Sequence, residues 1–217
     1  MTLKLYFHPL ASYCWKVLIA LYENDIPFEP HLVDFGNEAS RSEFLALTRL
    51  GKMAVLHDEA RNKTVPESSI IIEYLAQHYP GRNVGLLPGD PDLALSTRYH
   101  DRFYDLYVHN PMQSIVGDRL RPKDKKDPYG VERARTQLVA SYDIIETEMA
   151  GKRWATGETF TMADCAAAPA LFYGNEVEPF RKTHGNVAGY LTRLIERASF
   201  ARVLKEAQPY FHMVPRE

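Results

Sequence analysis

Leu3-Lys4-Leu5-Tyr6-Phe7 alternates apolar and polar positions and carries aromatics, the period-two pattern of a half-buried strand. His8-Pro9-Leu10-Ala11 breaks the pattern, and from Ser12 the period changes. Cys14, Val17, Leu18 and Leu21 fall on one face of a helix over 13–23, with Ser12 as a good N-cap and Asn24-Asp25 as its stop. Residues 28–33 read as a second strand, placed at a sheet edge by Pro30. A right-handed crossover is the default for a strand-helix-strand unit of this size. Residues 42–48 are predicted helical, 49–52 a loop and 53–57 a strand. A polar turn over 58–63 leads into the return strand at Thr64-Val65, which makes a hairpin. Pro66-Glu67-Ser68-Ser69 then opens a helix carrying Ile70, Ile71, Tyr74, Leu75 and His78. The order is βαβ-α-ββα, an α/β unit over 1–80.

Tyr79-Pro80-Gly81 stops that helix, and the Gly- and Pro-rich stretch up to Pro91 reads as a linker. The character then changes to long helical stretches, an all-α unit over 92–217. Its first long helix carries Tyr99, Phe103, Tyr104 and Tyr107. The Pro-bounded segment 121–129 mixes Lys123, Lys125 and Lys126 with Asp124 and Asp127, the mark of a solvated loop. A helix over 131–149 follows. In Phe160-Thr161-Met162-Ala163-Asp164-Cys165, Thr161 is an N-cap and Asp164 can reach back to it in a capping box. Phe160 and Cys165 take the two staple positions, so Cys165 is expected to be core packing. The Ala-rich helix over 166–173 reads as the buried centre of this unit, and a final helix covers 187–206.

Composition narrows the function classes. The 217 residues suffice for two small domains, and 45% hydrophobic content allows a real core. A net charge of −2 carries no basic surplus for nucleic acid or an anionic membrane. No apolar run approaches the roughly 18 residues of a membrane span. The first residues lack a signal-peptide pattern. The two cysteines, Cys14 and Cys165, give neither a disulfide framework nor a zinc site, and the histidines show no metal spacing. A reducing cytoplasm and no metal are therefore expected.

Four segments carry a family resemblance. Ser12-Tyr13-Cys14-Trp15-Lys16-Val17 resembles the first-helix segment of the cytosolic glutathione transferases, especially their serine-type, zeta-like members. Leu50-Gly51-Lys52-Met53-Ala54-Val55-Leu56 resembles the segment entering their third strand. Pro66-Glu67-Ser68-Ser69-Ile70-Ile71-Ile72-Glu73-Tyr74-Leu75 resembles their Glu-Ser glutathione motif, and 160–164 their capping box. The resemblance spans nearly the whole chain and implies a thioredoxin-like N-terminal domain followed by an all-α domain. Two positions depart from the family pattern. Ala11 stands where serine-type relatives often carry the active serine, which makes Ser12 its neighbour. Met53-Ala54 stands where the family has a cis-proline, and a cis bond before alanine costs about 3–4 kcal/mol.

The resemblance implies glutathione as co-substrate. Ser68, at a helix N-terminus, would grip the γ-glutamyl carboxylate and Glu67 would pair with the ammonium, although both residues also simply favour a helix start. Lys52 would face the glycyl carboxylate or be a solvated loop lysine. The Met53 backbone, next to Ala54, would pair with the cysteinyl portion. A free thiol with a pKa near 8.5 is only about 3% thiolate at neutral pH, and lowering that pKa by about two units takes roughly 2.7 kcal/mol. A hydroxyl donor at a helix N-terminus supplies part of this. Ser12 is the first candidate for that donor or else a plain cap. Cys14 is the second, as a thiol forming a mixed disulfide with glutathione, or else core packing. Tyr6 is the third, or else a strand aromatic. An interdomain cleft lined by Tyr104, Tyr107, His109 and Met112 would hold a small hydrophobic electrophile, unless these residues form core or a dimer interface. Relatives of this type imply a homodimer. Thiolate conjugation is the leading expectation. Thiol-disulfide exchange through Cys14 and a non-catalytic ligand-binding role are the alternatives.

Overall fold

The computed structural model describes residues 2–82 and 85–215. Part of the expected linker, residues 83 and 84, lies outside the described residues, as do positions 1, 216 and 217.

The N-terminal domain is built on a sheet of order β2-β1-β3-β4. Strand β1 (Leu3–Phe7) pairs in parallel with β2 (Glu29–Leu32) and antiparallel with β3 (Val55–Asp58), which pairs with β4 (Lys63–Pro66). Pro30 sits on the edge strand, where a missing N–H costs least. Helix α1 (Ser12–Glu23) joins β1 to β2. It is apolar nearly all round, with Cys14, Trp15, Val17, Leu18, Ile19, Ala20 and Leu21 buried. Such a helix must be covered on every side. Helix α3 (Ser68–His78) covers it from within the domain, and the later helices Met162–Val177 and Ala198–Ala207 cover it from the helical domain. Helix α2 (Glu38–Leu47) begins earlier than the apolar pattern predicts. Its first turn is polar, and it starts at Asn37, whose side chain accepts from the Ala39 and Ser40 amides.

The C-terminal domain opens on α4 (Pro91–Phe103), which runs through a π-helical turn (Tyr104–His109) into α5 (Asn110–Arg119). Helix α6 (Pro128–Glu148) and α7 (Met162–Val177) follow. The capping box is present as expected. Asp164 accepts from the Thr161 amide and also from the Ala155 amide and the Tyr190 hydroxyl, so one buried carboxylate ties three segments together. Ala163, Ala166, Ala167, Ala168 and Ala170 let neighbouring helices approach α7 closely. The single final helix of the sequence reading is corrected to two, α8 (Gly185–Glu196) and α9 (Ala198–Ala207), because the backbone extends at Arg197. That break turns Arg197 and Ser199 toward Glu23 at the end of α1, with a two-pronged ion pair at 2.7 Å. Among the described residues no helix is long and apolar enough to cross a membrane.

Candidate functional site

Strand register assembles the site. Tyr6 pairs with Val55, and Val55 with Pro66. The chain leaving β1, the turn entering β3 and the start of α3 therefore lie side by side at one end of the sheet. This brings together Ser12, Met53-Ala54 and Glu67-Ser68, which are far apart in sequence. The Met53–Ala54 peptide is cis. Glu67, exposed, caps α3 at φ 70°, a left-handed conformation rare for a residue with a side chain. Ser68 is buried in the first turn of α3, where backbone N–H groups lack helical partners. Lys52 is exposed beside this end of the sheet.

Ser12 is not the cap of α1. Ala11 has the extended cap conformation, and its carbonyl accepts the first helical bond, from Trp15. The Ser12 hydroxyl, at the first helical position, is thereby released from capping. It is hydrogen-bonded instead to Nε2 of His109, on the π-helical turn of the other domain. His109 is 2% exposed, and the Tyr13 ring lies 4.2 Å from its own, centroid to centroid. Burial, reinforced by the Lys16 charge, pushes the His109 pKa down to about 3, so the ring is neutral. Nδ1 has no hydrogen-bond partner among the described residues.

The other two thiol-site candidates are placed differently. Cys14 has no exposed surface and packs in the main core. Its burial pushes the thiol up to about 12. That corrects the exchange expectation, since a thiol needs access and thiolate character to attack a disulfide. Tyr6 is buried with Val33, Phe44 and Val55 in a small cluster separate from the main core, and burial raises its phenol pKa. Cys165 is also buried and free, as its staple position implies.

Lys16 is the group the sequence reading missed. One turn after Ser12, it is completely buried and reaches across the domain boundary to Asp101 at 2.6 Å and Asp105 at 2.8 Å. It also donates to Ser69, whose hydroxyl donates to Asp101. Arg102 closes the cluster on Asp101 and Asp105. Asp101, Asp105 and His109 recur every four residues and share the face of the long helix that meets α1. Charge next to a helix start normally reads as solvated surface, and only the tertiary contact shows otherwise.

The expected pocket residues separate. Tyr104 and Met112 are buried in the helical core, Tyr107 is exposed, and His109 alone reaches the site. A cleft of 710 Å³ opens elsewhere on the helical domain, between Arg119, Phe172, Tyr173, Val177, Phe211 and Pro215. The Tyr173 hydroxyl donates to the Leu10 carbonyl at 2.9 Å, which joins the cleft wall to the loop that delivers Ser12.

Comparison with known proteins agrees with this architecture. Family models described as the glutathione S-transferase N-terminal and C-terminal domains match residues 5–83 and 128–193. Glutathione S-transferase GstB of Escherichia coli K12 is 24% identical over 192 residues, which cover 87% of this chain and 91% of the relative. A glutathione S-transferase from Methylobacillus flagellatus, solved with glutathione bound, superposes with a TM-score of 0.85 at 22% identity, over 93% of this chain and 98% of that one. A glutathione S-transferase from Methylobacterium radiotolerans, in complex with glutathione sulfonate, superposes with a TM-score of 0.80 at 27% identity, over 94% of each chain. With both domain models matched in order on a sheet and helix bundle of this plan, the chain belongs to the glutathione transferase family and is a glutathione transferase-like enzyme.

Proposed function

We propose that the protein binds glutathione at the Glu67-Ser68 end of the sheet and directs its thiolate onto small hydrophobic electrophiles. The carrying observation is the convergence of Ser12 and the start of α3 at one end of the sheet. The first turn of α3 and the Ser68 hydroxyl take the γ-glutamyl carboxylate, and Glu67 takes its ammonium. Lys52 serves the glycyl carboxylate, and the backbone at Met53-Ala54 the cysteinyl portion. Ser12 donates to the sulfur at the N-terminus of α1, where the helix dipole also favours the thiolate. The electrophile enters the cleft walled by Phe172, Tyr173 and Phe211, which the Tyr173–Leu10 hydrogen bond joins to the loop before Ser12. Two buried free thiols are in keeping with a cytoplasmic protein. A second copy of the chain docks on α3 and α4, which expose Ile70, Leu95 and Tyr99 near the Glu73–Arg98 ion pair.

Calorimetric titration with glutathione at neutral pH tests the core of this reading. The protein should bind in the micromolar-to-millimolar range, and Ser68→Ala should bind about tenfold more weakly, the loss of one charge-assisted hydrogen bond. A folded protein that binds no glutathione overturns the reading.

A further inference from the structure

The Ser12 hydroxyl has one proton, and the thiolate reading, on which this inference rests, needs it aimed at sulfur. Its neighbour decides whether it is. His109 is buried and neutral, so its ring carries one N–H and one lone pair. If the proton sat on Nδ1, a buried N–H donor would face no partner among the described residues. Nε2 would then take the Ser12 proton and turn it away from any sulfur. With the proton on Nε2, the ring donates to Ser12 Oγ. Only a lone pair is then left unpaired at Nδ1, and a buried orphan acceptor is the better-tolerated kind. We propose that His109 is held as its Nε2–H tautomer and is a positioning residue that fixes Ser12 as a hydrogen-bond donor to the glutathione thiolate.

The resulting chain runs from His109 N–H to Ser12 O–H to sulfur, each bond polarising the next. No proton passes along it. The thiol proton leaves to solvent, and imidazole and hydroxyl end as they began. The same pair in another setting would be a nucleophile and its base. Among the described residues no group at Nδ1 steadies an imidazolium, and the buried Lys16 ammonium, the charged group that α1 presents to the ring, opposes one. Ser12 therefore stays a hydroxyl. Burial and the Tyr13 ring packed against it leave the His109 ring little freedom to turn away.

The test is the pKa of the bound glutathione thiol, read from thiolate ultraviolet absorbance against pH in the wild type, His109→Gln and His109→Leu. The Gln amide can donate from nearly the same place as Nε2, whereas Leu cannot. His109→Gln should keep the wild-type value. His109→Leu should raise it by about one unit, a roughly tenfold smaller thiolate fraction at a pH below both pKa values, with glutathione affinity changed less than about twofold. An unchanged thiol pKa in a folded, glutathione-binding His109→Leu protein overturns the proposal. So does an Nδ1–H tautomer in the ¹⁵N spectrum of the wild type, a measurement that needs no variant to fold. A wild type that binds no glutathione removes the thiolate reading itself, and this proposal with it.

Discussion

Asp58 is fully buried at the end of β3, yet it accepts from the Tyr74 and Tyr79 hydroxyls at 2.7 and 2.6 Å and from the Arg61 amide at 3.1 Å. Burial pushes its carboxyl up, but hydrogen bonds from Tyr79, Tyr74 and Arg61 together outweigh that and hold it at about 2. An unfolded aspartate titrates near 3.9. The folded state therefore binds this proton less readily than the unfolded one, and the stabilisation is full above about pH 4 and lost as the pH falls toward about 2. Urea denaturation across that range should show Asp58→Asn less stable than the wild type at neutral pH, with a shallower loss on acidification. Parallel curves for the two proteins would show that Asp58 contributes nothing to the acid limb. Ser12 makes the complementary point at this scale. One residue's shift of the helix start frees a hydroxyl that a cap would have consumed.

Helices α1, α3 and α4 meet at a buried cation. Lys16 is held by two carboxylates and a hydroxyl from three different elements, and its removal would leave Asp101 and Asp105 with the half-exposed Arg102 as their cation and Asp101 with the Ser69 hydroxyl. Burial already raises the Asp105 pKa against the opposing pull of Lys16. Breaking a buried pair by deleting one partner costs about 3–5 kcal/mol, whereas replacing a whole cluster by apolar groups is often neutral. Lys16→Met should therefore lose about 3–5 kcal/mol by chemical denaturation, and the triple change Lys16→Met, Asp101→Leu, Asp105→Leu should recover part of it. Equal stabilities of wild type and Lys16→Met would show that the cluster does not hold the helices together. Helix α1 carries Ser12 with Lys16, and the π-helical turn carries His109 with Asp105, so the Lys16–Asp105 pair ties together the two elements that hold the thiol-site groups.

At the scale of the whole molecule, α1 is shared. Trp15 stacks on Tyr173 at 4.8 Å and donates to the Pro9 carbonyl, so the core of the helical domain closes directly over the loop before Ser12. The exposed apolar residues of α3 and α4 belong to this scale too. Leu95 and Tyr99, 67% and 54% exposed, lie one helical turn apart. The second copy proposed above would cover them. Sedimentation at micromolar concentration should find a dimer for the wild type and a monomer for Leu95→Glu. A monomeric wild type removes the second copy from the proposal.

Strand and helix order followed from the sequence, because period-two and period-3.6 patterns, Pro30 at an edge and the Thr161–Asp164 box are local signals. The Glu67-Ser68 helix start was legible for the same reason. Long-range identities were not. Nothing local distinguishes a lysine buried between two domains from a solvated one, or a histidine on a helix face from a pocket wall. The break at Arg197 and the polar first turn of α2 escaped because tertiary contacts and a single Asn37 cap outweigh weak periodicity there. The pairing of Ser12 with His109, 97 residues apart, exists only because β1, α1 and the π-helical turn are packed together. Sequence determined which elements form, through propensity and hydrophobic period. Tertiary structure alone decided which of their polar side chains meet, since burying a charge or a hydroxyl is tolerable only where folding supplies its partner.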